Sequence, residues 1–193
     1  MKTLSKSVFN AEASLCLAMM ALLMGSGCAG DRYNRSTGEY IDDHSLQLRV
    51  DHALNSSPDY KFPDVSVVTY KGVIQLNGFV DLADQKARAG EIVKQIQGVR
   101  EVDNNITVEA KTSRTEGEVI DDRALVKRVR DALHSNPEYK FDDVTVAAYK
   151  GMVQLGGFVN AADQKGKAGD IAKNVSGTKD VQNNITAKDK LNP

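Results

Sequence analysis

Residues 41–108 of this 193-residue chain are written a second time, 79 positions later. Ile41-Asp42-Asp43 returns as Ile120-Asp121-Asp122, and Tyr60-Lys61-Phe62 as Tyr139-Lys140-Phe141. Tyr70-Lys71-Gly72 returns as Tyr149-Lys150-Gly151, and Asn104-Asn105-Ile106-Thr107 as Asn183-Asn184-Ile185-Thr186. The copies align without a gap, and more than half of the paired positions are identical. A solenoid needs three or more stacked units, so one regular duplication specifies two tandem domains. Units of this size are only marginally stable alone, which gives each a reason to pack on the other.

Each copy carries the same periodicities. Leu46, Val50, Ala53 and Leu54, with Leu125, Val129, Ala132 and Leu133 in the second copy, recur at i, i+4, i+7 and i+8. That spacing is one buried stripe of a helix. Asp42-Asp43 and Asp121-Asp122 put acids where the positive end of that helix is expected. Val65–Tyr70 and Val144–Tyr149 alternate as strands, and Lys71-Gly72 or Lys150-Gly151 turns each into a second strand, Val73–Val80 or Met152–Val159. Asp81 or Asn160 is expected to cap a second helix that ends before Gly98 or Gly177. Gly90 and Gly169 interrupt its interior, where glycine costs about 1 kcal/mol relative to Ala, so close packing is expected there. Residues 102–108 and 181–187 supply a last strand. The class is α+β, each unit being αββαβ with two helices on one face of a three-stranded mixed sheet.

The segments Gly72-Val73-Ile74-Gln75-Leu76-Asn77-Gly78-Phe79-Val80 and Gly151-Met152-Val153-Gln154-Leu155-Gly156-Gly157-Phe158-Val159 resemble the G-x-V-x-L-x-G-x-V core of the BON domain. Gly98, Val102 and Asn104-Asn105, with Gly177, Val181 and Asn183-Asn184, are similar to that family's closing motif. The resemblance implies an αββαβ fold, no catalytic chemistry and phospholipid binding. Tandem copies behind a secretory signal resemble the family's envelope members, both the osmotically inducible periplasmic type and the outer-membrane lipoprotein type.

The N-terminus reads as an export signal. Lys2 and Lys6 form a basic start, and residues 15–24 are an unbroken apolar run, too short for a membrane span of about 20 residues. Gly27-Cys28 after Ser26 resembles a bacterial lipobox, in which the Cys is acylated and becomes the new N-terminus, although Gly25 stands where an aliphatic residue is usual. Ordinary cleavage after Ala29 is the competing reading. Cys16 leaves with the signal, so the mature chain has no intramolecular disulfide. The expected organisation is signal peptide 1–27, acylated Cys28 and tether 28–40, first domain 41–109, linker 110–118, second domain 119–188 and tail 189–193.

Catalytic chemistry finds no foothold. His44 and His52 are eight residues apart, too far for a chelating pair, and the repeat replaces them by Arg123 and Asp131. The glycines of the core segment do not open a helix as a phosphate loop would. No metal and no cofactor are expected. With 25 basic against 26 acidic residues, a polycationic nucleic-acid binder is excluded and no nucleic-acid partner is expected.

One contrast between the copies remains. Residues 41–108 carry 7 basic and 10 acidic residues, residues 119–187 carry 10 and 9, and the difference sits mainly in the first helix of the second copy. There Arg123, Lys127 and Arg130 fall within about 60° of one another, opposite Leu125, Val129 and Ala132, with Val126 at the flank. The corresponding residues in the first copy are His44, Leu48 and Asp51. The stripe is either a solvated helix face or a site for anionic phospholipid headgroups. The resemblance favours the second: a non-enzymatic lipoprotein at the outer membrane that supports envelope integrity or osmotic-stress tolerance. The alternative is a soluble, stress-induced periplasmic chaperone or protein-interaction module, with outer-membrane or periplasmic proteins as partners.

Overall fold

The computed structural model describes residues 35–110 and 114–191, so the export segment, Cys28 and most of the tether lie outside the described residues. The first domain runs α1 (Thr37–Asn55), β1 (Val65–Tyr70), β2 (Val73–Val80), α2 (Ala83–Lys94) and β3 (Glu101–Val108). The second repeats this as α3 (Glu116–His134), β4 (Val144–Tyr149), β5 (Met152–Val159), α4 (Ala162–Lys173) and a last strand in two pieces, β6 (Asp180–Asn183) and β7 (Thr186–Ala187). In each sheet the middle strand, β2 or β5, pairs antiparallel with the strand before it and parallel with the strand after the second helix.

The first helices begin about one and a half turns earlier than the acidic pairs suggest. Ser36 accepts the Glu39 N–H at 3.2 Å while Glu39 accepts the Ser36 N–H at 2.9 Å, and Thr115 and Glu118 repeat this reciprocal cap. The bonds from Ser36 hold the Glu39 carboxyl below its usual value. Asp43 and Asp122 therefore do not mark a helix start. Each is buried in the second turn of its helix and accepts both amides of the hairpin turn: Lys71 and Gly72 at 2.7 and 3.0 Å, Lys150 and Gly151 at 2.8 and 3.0 Å. That turn holds Lys71 and Lys150 at φ of 48° and 49°, a left-handed conformation that needs such support. Arg35 and Arg114 complete the arrangement, each with a nitrogen 3.2 Å from the buried carboxylate.

The second helices also differ from expectation at their starts. Leu82 and Ala161 are the capping residues, and Gln85 and Gln164 reach back to accept the amides of Asp81 and Leu82 or of Asn160 and Ala161. The interior glycines have the expected cause. Asn104 donates to the Lys86 carbonyl at 2.8 Å across Gly90, where a Cβ would lie 2.9 Å from the amide nitrogen. Asn183 does the same across Gly169.

Alternation along the middle strands assigns their two faces. Ile74, Leu76 and Val80, with Val153, Leu155 and Val159, enter the helix-covered cores. Gln75, Asn77 and Phe79, with Gln154, Gly156 and Phe158, face the other domain, so β2 is buried along its whole length. The two sheets meet face to face in a self-complementary way. Gln75 accepts the Gly157 N–H and donates to the Asn184 carbonyl at 3.0 Å and the Thr186 hydroxyl at 3.1 Å. Gln154 answers by accepting the Gly78 N–H and donating to the Asn105 carbonyl at 3.0 Å and the Thr107 hydroxyl at 2.9 Å. Tyr70 packs on Phe158 and Phe79 on Tyr149 as tilted ring pairs, each with centroids 5.5 Å apart. Each of these contacts on one side recurs on the other with the copies exchanged, the pattern of an isologous dimer interface inside one chain.

Asp103 on β3 is an exception to this balance, since the second copy has Gln182 in its place. Partial burial pushes the Asp103 carboxyl up, Glu101 adds to the rise, and a hydrogen bond with Gln75 opposes it. A carboxyl raised on folding stabilises the fold only while it is protonated. Stability contributed by Asp103 is therefore complete below the ordinary Asp value of 3.8 and is lost as pH rises through the folded value. Asp103→Asn should raise the thermal midpoint at pH 7 and lose that advantage as pH falls below about 4. A series of melts across that range would show a constant difference if the cause lay elsewhere.

Candidate functional site

The cationic stripe lies on α3, a helix tied to its sheet by Leu125, Val129 and Leu133 and held at its start by the Thr115 cap. Arg123, Lys127 and Arg130 are all exposed, as the spacing requires. Lys127 is not free: its ammonium lies 2.6 Å from Asp131, one turn further on. Exposed pairs of this kind contribute at most about 1 kcal/mol, so an external anion can compete for the lysine. Among the described residues neither Arg123 nor Arg130 has an ion-pair partner. Val126 is half-buried and packs against the second domain's core.

Arg123 and Val126 line a groove between the domains, whereas Lys127 and Arg130 are not part of its walls. The matching face of α1 has a different character. Tyr40, Ile41 and Leu48 are more than half exposed, and His44 stacks on Tyr40 at 6.5 Å. Burial raises the Asp51 carboxyl at the position of Arg130. Tyr40 and Leu48 thus answer to Val119 and Lys127 on α3, whereas Ile41 has an equally exposed counterpart in Ile120.

Sequence reasoning missed the buried acids and their arginines. Arg114 donates to Asp122 while its guanidinium lies 4.9 Å above the Tyr149 ring, and the Tyr149 hydroxyl donates to the Ala110 carbonyl at 2.7 Å. The signal was present: Arg35-Ser36 and Arg114-Thr115 obey the same 79-residue offset, so the repeat extends upstream of Ile41. His44 and His52 are exposed, and His134 is 3.6 Å from Asp142. Among the described residues no group of His, Cys, Asp or Glu could hold a metal ion, and no helix is long and apolar enough to cross a membrane.

A family model described as the BON domain matches residues 42–110 and 121–189. Over 164 residues the chain is 31% identical to the Osmotically-inducible protein Y of Escherichia coli, covering 83% of this chain and 81% of that one. Over 166 residues it is 32% identical to the Outer membrane lipoprotein DolP of Haemophilus influenzae, covering 84% of each.

Proposed function

The chain belongs to the BON-domain family, with two copies in tandem, and from that premise we propose that it is a non-enzymatic envelope protein whose second domain lies against anionic phospholipid. The observation that supports this reading is the contrast between α1 and α3. Two copies of one fold keep most of their core residues and differ in the charge of one exposed helix face. Each basic residue near an anionic surface contributes about 1 kcal/mol, so Arg123, Lys127 and Arg130 together give about 3 kcal/mol, roughly a hundredfold. That is weak for recruitment from solution. For a protein already anchored through an acylated Cys28, effective concentration makes it sufficient to set orientation. Anchoring at the outer membrane and a part in osmotic-stress tolerance accord with the names of the two relatives.

Flotation with vesicles tests the reading. For the protein without its acyl chains, vesicles rich in phosphatidylglycerol or cardiolipin should carry more of it upward than purely zwitterionic vesicles. Replacing Arg123, Lys127 and Arg130 together by Ser should lower partitioning about a hundredfold. Equal retention of the triple variant would remove the stripe from the account. Mass spectrometry of the mature N-terminus decides the acylation of Cys28.

A second reading draws on exposed Tyr40, Ile41 and Leu48, which suit a protein-interaction module. It expects binding to client proteins and indifference to lipid charge in the same flotation assay.

A further inference from the structure

The seam between the domains has two mouths, related by the exchange of the copies, and they have diverged. One, beside α1, is a shallow notch of about 130 Å³ lined by residues including Arg35, Tyr40, His44, Gln47, Val68 and Thr69. The Arg35 guanidinium lies 5.0 Å from the Tyr40 ring, which covers this mouth. The other, beside α3, is a groove of about 400 Å³, within the range of small-molecule sites.

The residues that open the second mouth are the counterparts of those that close the first. Val119 stands in place of Tyr40, Val126 of Gln47, Ala147 of Val68 and Ala148 of Thr69. Each exchange removes volume, polarity or both. His44 is replaced by Arg123, which puts a permanent charge at the rim. Phe79 and Tyr149 belong to the walls, and Tyr149 is held by its tilted ring contact with Phe79 and its bond to Ala110. The groove is thus built into the fold. Asp64, Arg114 and Asp122 are the other charged residues of its lining, and Arg123 stands at its α3 side.

From this geometry we infer that the groove takes one acyl chain of an anionic phospholipid, with the phosphate on Arg123. The inference rests on the phospholipid reading and adds to it a site with shape. An exposed guanidinium without an ion-pair partner among the described residues can hold phosphate through two parallel hydrogen bonds. Val119, Val126, Val146, Ala147 and Ala148 supply the apolar wall for the chain.

The test uses lyso-phosphatidylglycerol below its micelle concentration, titrated into the full mature protein and followed by NMR. The expected result is one-to-one binding, with shifts at the Val126, Ala147 and Ala148 methyls. Lyso-phosphatidylcholine should bind at least tenfold more weakly, and inorganic phosphate should leave those methyls unmoved. Filling the groove with its counterpart's residues (Val119→Tyr, Val126→Gln, Ala147→Val and Ala148→Thr) should weaken lyso-phosphatidylglycerol at least tenfold. Val119→Tyr alone, a single change near the helix start, gives a second reading should the fourfold variant fail to fold. Undiminished binding by a folded filled variant, equal binding of the two lysolipids, or shifts confined to the outer face of α3 would overturn the inference. The phospholipid reading fails separately, by flotation that ignores lipid charge.

Discussion

Asparagine in place of Gly156 should force the two sheets apart, and removing the Asn77 side chain in the same molecule should bring them back. A Cβ built at Gly156 falls on the Asn77 side chain, well inside van der Waals contact, so both positions cannot carry a side chain at once. Asn77 is 2% exposed and donates to Gln75 at 3.1 Å, inside the network that joins the domains. Overpacking of a well-packed interior costs about 1–3 kcal/mol, and an approach this close belongs at the upper end. Gly156→Asn should therefore lower unfolding stability by about 3 kcal/mol, while the exchange of Asn77→Gly with Gly156→Asn should return to within about 1 kcal/mol of the parent. Urea unfolding of the four proteins forms a complete double-mutant cycle. If Gly156→Asn costs as much in the Asn77→Gly background as in the parent, the two sheets do not meet at this point.

Asp122→Ala should be comparably damaging through different physics. The Asp122 carboxylate is buried, accepts two turn amides and neutralises Arg114. Truncation leaves Arg114 as a largely buried, unpaired cation and removes support from a turn whose Lys150 has a φ of 49°. Breaking a buried pair from one side typically costs about 3–5 kcal/mol. Asp122→Asn should fall between, since an amide oxygen can still accept one N–H. The adjacent Asp121 is exposed, and its replacement by Ala should change stability by no more than about 0.5 kcal/mol. Similar unfolding midpoints for the Asp121 and Asp122 variants would refute the structural role.

The αββαβ order, the hairpins and the helix-covered cores were legible in the sequence because apolar periodicity reports directly on one buried face. The face of each sheet that meets the other was not. Gln75 and Gln154 sit at alternate positions, where a polar residue reads as solvent-facing, and only the structure shows that their partners are backbone groups of the other copy. The role of Asp43 is hidden for a related reason: acids near a helix start have an adequate local explanation, and a hairpin turn 28 residues away leaves no local trace. The charge contrast on α3 was readable by comparing the copies. That Arg123 and Val126 share a groove was not, since its far wall comes from Pro63, Asp64, Val65 and Phe79 of the other domain.

Sheet against sheet, with helices outside both, gives the molecule two outer layers that look in opposite directions. A bilayer is a single plane and can meet only one of them. If α3 lies on lipid, Tyr40 and Leu48 on α1 are turned toward the aqueous compartment, so doubling of the gene made two equivalent outer faces and divergence of the copies gave them different surroundings.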